Sequence, residues 1–169
     1  MCMAIALLPI GAQSAPRRGS GQADAIDAPR ITQQAFKKLV AANNVVIVDT
    51  RTQKEYDNEH VRGAILAPYV EKSLKEIDFD ASKDDFSALK TIAKDKPAVF
   101  ICNGPECWKS YKATRAAVAA GYTKVYWFRG GMPEWREKHL PVDGSAGAAL
   151  ANIPAPRKAG GEAVVAAKG

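Results

Sequence analysis

The chain has 169 residues, a formal net charge of +6, three cysteines and two histidines. This length accommodates one domain of ordinary size whose core needs no disulfide framework, so the cysteines are free for chemistry. The sequence contains neither the C-x2-C nor the H-x3-H pairs of structural zinc sites, and no apolar run of the roughly 20 residues that predict a membrane span. Its interspersed charges also predict no nucleic-acid-binding face.

The two ends of the chain are expected to lie outside the folded domain. Residues 1–15 hold an apolar run followed by small residues at the spacing of an export signal, although no basic residue precedes Arg17. We therefore expect a signal peptide and a periplasmic or secreted protein, or a cytoplasmic protein if this segment is not a signal. Residues 16–29 have the composition of a linker, and the Ala-, Gly- and Pro-rich residues 144–169 predict a disordered tail.

Between these ends, predicted helices and strands alternate. In chain order, the pattern predicts a helix over residues 31–40, a strand over 45–48, a helical turn over 52–56 and a strand over 63–67. Two charged helices over 70–77 and 82–93 follow, then a strand over 98–101, a helix over 110–120, a strand over 124–128 and a helical turn over 133–138. This order is typical of an α/β domain with a parallel sheet, whose ligands bind beyond the carboxyl ends of the strands.

The loop after the third predicted strand is the candidate site. Cys102 ends the run A-V-F-I-C, and the turn formers N-G-P make the chain curl directly after the thiol. Such a turn directs backbone N–H groups and a helix N-terminus at one point, which favours a nucleophilic thiolate. The alternative is a buried cysteine that packs as a small hydrophobic residue. The candidate loop and substrate-binding residues are Asn103, Gly104, Pro105, Glu106, Trp108, the basic Lys109, and Ser110 as a donor or helix cap.

Two stretches on either side of this loop resemble the signatures of one family. V-D-T-R-T-Q-K-E-Y-D-N-E-H-V-R-G-A-I (48–65) resembles the first signature of rhodanese-like domains, and G-Y-T-K-V-Y-W-F-R-G-G-M-P-E-W (121–135), followed by L-P-V, resembles their closing signature. The resemblance covers residues 30–143 and implies one small parallel sheet with helices on both faces. It further implies that Cys102 takes a sulfane sulfur from a donor such as thiosulfate and passes it, as a persulfide, to a thiol or cyanide. No metal or other cofactor is implied.

Four polar residues match the first signature, and we interpret them as structural. They are Asp49, Arg51, Glu55 and His60. The i, i+4 spacing of Arg51 and Glu55 predicts a local ion pair as an alternative to a ligand contact.

The candidate loop departs from the common family pattern, in which a basic residue stands five positions after the cysteine. Here Lys109 stands seven positions after Cys102, and Cys107 and Trp108 occupy the insertion. A longer loop predicts room for a bulkier donor or acceptor than thiosulfate. Trp108 also stands where a cysteine phosphatase carries its arginine, and an indole cannot bind phosphate in a bidentate manner, which argues against phosphatase activity.

Cys107 leaves several interpretations open. It is an incidental loop residue, or a resolving cysteine that pairs with Cys102 if their Cα atoms lie within about 7 Å, or one half of a metal-binding pair. Three functions follow: a sulfurtransferase with Cys102 as nucleophile, a thiol-disulfide redox protein with a redox partner protein, and a non-catalytic sulfur-carrying or binding module.

Overall fold

The computed structural model describes residues 27–145, so the predicted signal peptide, most of the predicted linker and nearly all of the predicted tail lie outside the described residues.

Local sequence signals position the first helix and strand. Helix α1 (Gln33–Ala41) begins after Thr32, whose hydroxyl accepts a hydrogen bond from the Ala35 backbone N–H at 3.2 Å. Strand β1 (Val46–Asp49) follows and is mostly buried.

Four parallel strands form the central sheet. Their order is β3 (Ile65–Leu66), β1, β4 (Ala98–Ile101) and β5 (Val125–Phe128), with β1 paired to β3 and β4, and β4 paired to β5. A separate antiparallel pair joins β2 (His60–Val61) to β6 (Val142–Asp143). This pair was not predicted, because His60–Val61 and Val142–Asp143 each alternate one polar and one apolar residue, which is too short to show a period.

Helices cover both faces of the sheet, as the family resemblance implied. On one face, Ala113 and Ala117 of α3 (Trp108–Ala119) pack in a cluster with Val48 and Phe100. On the other face, helices α1 and α4 (Gly131–Glu137) pack against the alternate strand residues. A fourth helix, α2 (Gln53–Asn58), follows β1. No helix among residues 27–145 is long and apolar enough to cross a membrane.

The two charged helices predicted over residues 70–77 and 82–93 are wrong. Within residues 70–93 the structure has two short 3₁₀ turns, Ala81–Lys83 and Ser87–Thr91, and otherwise irregular backbone. Aspartate side chains bind backbone N–H groups here: Asp80 accepts from Ser82 at 3.1 Å and Asp85 accepts from Ser87 at 2.8 Å. Such short-range bonds compete with helical hydrogen bonding, which explains the difference.

Candidate active site

Cys102 lies directly after β4, at the carboxyl end of the sheet, and is fully buried. Its neighbours on both sides fix its backbone. The Thr50 backbone N–H donates to the Ile101 carbonyl at 3.0 Å, and the Met132 N–H donates to the Cys102 carbonyl at 3.0 Å. Cys102 is therefore held between the strand end of β1 and the first turn of α4.

A disulfide joins Cys102 to Cys107, and their Cα atoms are 6.2 Å apart. Cys107 is half-buried, precedes the first residue of α3, and donates its backbone N–H to the Gly104 carbonyl at 3.0 Å. Of the interpretations that the sequence left open, the structure shows the disulfide. Residues 27–145 contain no group of three histidine, cysteine or acidic side chains that could hold a metal ion.

The Gly-Gly step of the closing signature packs directly under this loop. Gly131 has a φ of +59°, and a β-carbon at this position would collide with the Cys102 carbonyl oxygen and the Gly104 nitrogen. Gly104, with a φ of +134°, is itself close to Pro133, whose Cγ would lie 3.3 Å from an added β-carbon. The glycines allow α4 to approach the cysteine loop more closely than any other residue type would permit.

Arg51 organises the neighbouring wall of the site. Its Nε and Nη2 donate to the two carboxylate oxygens of Asp49 at 2.9 and 2.7 Å, and both side chains are buried. Nη2 also donates to the Glu59 carbonyl at 2.6 Å, and Nη1 to Asn103 Oδ1 at 3.4 Å. The local ion pair predicted between Arg51 and Glu55 is not formed, because the buried Asp49 carboxylate occupies the guanidinium fork instead.

Glu55 connects α2 to the cysteine loop. It forms a capping box with Thr52, and its Oε1 accepts from Asn103 Nδ2 at 2.5 Å. Partial burial opposes its ionisation, but the hydrogen bonds from the Thr52 side chain and backbone and from Asn103 outweigh that effect and lower its pKa to about 2. Asn103 thus lies between Arg51 and Glu55 and orients the start of the loop.

His60 lies in β2 rather than in the cysteine loop. Its ring stacks on Tyr56 with 3.7 Å between ring centroids, and its Nδ1 lies 2.7 Å from the Tyr56 carbonyl oxygen. Through these contacts His60 joins β2 to α2.

The remaining predicted loop residues divide between the core and a pocket. Ser110 is buried within the first turn of α3 and its Oγ accepts from Trp127 Nε1 at 3.2 Å, so its predicted role as a helix cap is wrong. Trp108 is also buried, edge-on to Tyr111. Lys109 is half-buried, whereas Pro105 and Glu106 are exposed.

A pocket of about 430 Å³ lies beside the disulfide. It is lined by the loop residues Asn103, Gly104, Pro105, Glu106, Cys107, Trp108 and Lys109, and by Glu71 and Lys75. The sequence did not predict Glu71 and Lys75 as pocket residues. Their segment was expected to be a helix, whereas its irregular path determines which side chains reach the pocket. No signal in the sequence indicated them.

A buried ion cluster holds this irregular segment against α3. Lys112 is completely buried, and its Nζ lies 2.8 Å from Glu71 Oε1 and 3.6 Å from Asp84 Oδ2. It also donates to Ser73 Oγ at 2.8 Å. The sequence did not indicate this cluster, because a lysine in a charged, Ala-rich helix is typical of an exposed position.

Comparison with known proteins decides the family. The family model of the rhodanese-like domain matches residues 32–138. The chain belongs to the rhodanese-like family. This rhodanese-like chain is 32% identical over 126 residues to an HTH-type transcriptional regulator of Mycobacterium tuberculosis, an alignment that covers 73% of this chain and 50% of the regulator. The chain therefore spans half the length of that curated relative.

Solved structures show the same fold. A Bacillus halodurans protein superposes with a TM-score of 0.56 at 23% identity, covering 72% of this chain and 80% of that chain. A thiosulfate sulfurtransferase from Pseudomonas aeruginosa superposes with a TM-score of 0.51 at 18% identity, covering 69% of this chain and 20% of that chain. At these identities the two structures show that the chain has the same fold as these proteins.

Proposed function

We propose that the protein is a sulfurtransferase whose nucleophile is Cys102, active once its disulfide is reduced. The Cys102 thiolate attacks the sulfane sulfur of a donor such as thiosulfate. The S–S bond of thiosulfate breaks, and sulfite leaves with the bonding electron pair. The resulting persulfide then gives its terminal sulfur to cyanide or to a thiolate, which regenerates the Cys102 thiolate. The transfer itself involves only the small sulfur-containing donor and the thiophilic acceptor, whereas the prior reduction of the disulfide takes two electrons from an external thiol reductant.

The observation that carries this proposal is the position of Cys102 at the N-terminus of α3. Its sulfur is bonded to that of Cys107, which occupies the N-cap position of α3, a helix of 12 residues. The N–H groups of the first helical turn have no acceptor within the helix, and together with the helix dipole they stabilise an anion. A thiolate or persulfide on Cys102 is stabilised by the same field.

Single-cysteine variants test the proposal in a thiosulfate:cyanide assay that measures thiocyanate. With reduced protein, Cys102→Ser is expected to abolish thiocyanate formation, whereas Cys107→Ser retains it. Cys107→Ser is the matched control because it also removes the disulfide and one thiol. Wild-type activity in Cys102→Ser would overturn the proposal.

A second candidate function is favoured by the disulfide itself: a thiol-disulfide redox protein that cycles Cys102 and Cys107 with a redox partner protein. This function requires both cysteines, so either single variant abolishes it. Retention of thiocyanate formation in Cys107→Ser together with its loss in Cys102→Ser supports sulfur transfer. Absence of thiocyanate formation in the wild-type protein, together with thiol oxidation that both single variants lose, supports the redox cycle.

We also propose that residues 1–15 direct export and that the protein works in the periplasm or outside the cell. The disulfide supports this proposal, because such bonds persist in oxidising compartments. N-terminal sequencing of the protein from fractionated cells tests it. A start at or near residue 16 in the exported fraction is expected, and an intact Met1 in the cytosolic fraction contradicts it.

A further inference from the structure

The two cysteines of the disulfide differ in their exposure to solvent. Cys102 is fully buried, whereas Cys107 is half-buried and lines the 430 Å³ pocket. Thiol–disulfide exchange requires the attacking thiolate to approach one sulfur directly, so its rate depends on which sulfur is accessible. An external thiol therefore meets Cys107 first.

We propose that the disulfide is opened by an anionic thiol that attacks Cys107 from this pocket, and that Cys102 leaves as the thiolate. The Cys107–Cys102 bond breaks as the bond from the external sulfur to Cys107 forms. A second thiolate then attacks the external sulfur of this mixed disulfide, which yields an oxidised thiol pair and reduced Cys107. The two external thiols thus lose two electrons in total, and the protein disulfide gains these two electrons.

The surroundings of Cys102 disfavour a mixed disulfide on Cys102 itself. Cys102 is 0% exposed, so an external thiolate has no direct approach to it. Its backbone is fixed by β4 and by the hydrogen bond from Met132, and Gly131 packs against its carbonyl. These contacts leave little room for a bulky mixed disulfide on Cys102.

The charges that line the pocket select the class of thiol. Lys75 and Lys109 make no ion pair with any residue in the described range 27–145, while the carboxylate of Glu71 is already paired with Lys112 at 2.8 Å. The lining thus holds two lysines and one carboxylate, that of Glu106, without an ion pair in the described range, and the pocket favours a negatively charged thiol.

The order of attack extends the proposed function by naming what activates Cys102, and it rests on that function only for the later use of the released thiolate.

The first test locates the mixed disulfide. Oxidised wild-type protein is mixed with one equivalent of glutathione, quenched with acid at early times, alkylated, and cleaved after Glu106 so that Cys102 and Cys107 fall in different peptides. Mass spectrometry is expected to find the glutathionyl group on Cys107 in at least about tenfold excess over Cys102.

An equal distribution, a preference for Cys102, or no reaction with the disulfide would overturn this inference. Each of these results is independent of thiocyanate formation. Failure of the sulfurtransferase proposal therefore leaves the order of attack intact, and the reverse also holds.

The second test measures the charge preference. Second-order rate constants for reduction of the disulfide are compared, at equal thiolate concentration, between 3-mercaptopropionate, which carries a carboxylate, and cysteamine, which carries an ammonium group. Lys75→Gln/Lys109→Gln is expected to slow the anionic thiol by about tenfold relative to the cationic one. Lys72→Gln is the matched control, because Lys72 is exposed and does not line the pocket, and it is expected to leave both rates unchanged. An equal effect of the double variant on both thiols refutes the charge selection.

Discussion

Replacing Lys112 by methionine removes the positive charge of the buried ion cluster while keeping a side chain of similar length. The side chain of Lys112 is 0% exposed, and the carboxylates that it faces belong to Asp84, whose side chain is 2% exposed, and Glu71, at 11%. In Lys112→Met the two carboxylates lose the ammonium group that compensates their charge. We therefore expect a large loss of stability rather than the small effect of a surface charge change.

The expected loss is about 3–5 kcal/mol, the range found when one partner of a buried ion pair is removed. This is a large part of the total stability of about 5–15 kcal/mol that is usual for a domain. The Asp84 carboxylate retains hydrogen bonds from the backbone of Lys72 and Ser73, both at 2.7 Å, which keeps the loss within this range.

Urea unfolding of the oxidised protein at neutral pH, followed by tryptophan fluorescence, measures this loss. The triple variant Glu71→Gln/Asp84→Asn/Lys112→Met serves as the comparison, because it removes all three charges and is expected to recover at least half of the lost free energy. A loss below about 1 kcal/mol in Lys112→Met, typical of a surface ion pair, would refute the argument from burial.

Two further predictions concern the walls of the cysteine loop. Because the pKa of Glu55 is lowered from 4.5 to about 2, its stabilisation is complete above about pH 4.5 and is lost as the pH falls through about 2. Glu55→Gln is therefore expected to cost about 1 kcal/mol at pH 7, after allowance for solvent screening, and almost nothing near pH 2 in urea unfolding; a cost that does not depend on pH contradicts this. Gly131→Ala is expected to lower stability by about 1–3 kcal/mol more than Gly121→Ala, since both have positive φ but an added β-carbon at Gly121 has no neighbour within 4 Å. Equal costs in the same denaturation assay would show that the close approach to Cys102 is unimportant.

The alternating strands and helices were predictable because their signals are local. The hydroxyl of Thr32 caps α1, and Thr52 and Glu55 form a capping box at the start of α2. The buried strand that ends at Cys102 is an uninterrupted apolar run, which is typical of a central parallel strand. Each of these features depends on a few consecutive residues.

The irregular segment and the pocket were not predictable in the same way. Asp84 binds the backbone N–H groups of Lys72 and Ser73 across 11 or 12 residues of sequence, and Lys112 reaches Ser73 across 39 residues. Such contacts depend on the tertiary path of the chain. For the same reason the sequence left the pairing of the two cysteines open, because the distance between them depends on the curl of the loop.

Sulfur transfer by this protein requires that Cys102 accept a sulfur atom. The most direct measurement is mass spectrometry of the reduced protein after incubation with thiosulfate and cleavage after Glu106. We expect a gain of about 32 Da, one sulfur atom, on the peptide that contains Cys102, and no gain on that peptide in Cys102→Ser. An unchanged mass of the Cys102 peptide, or a gain confined to Cys107, would contradict it.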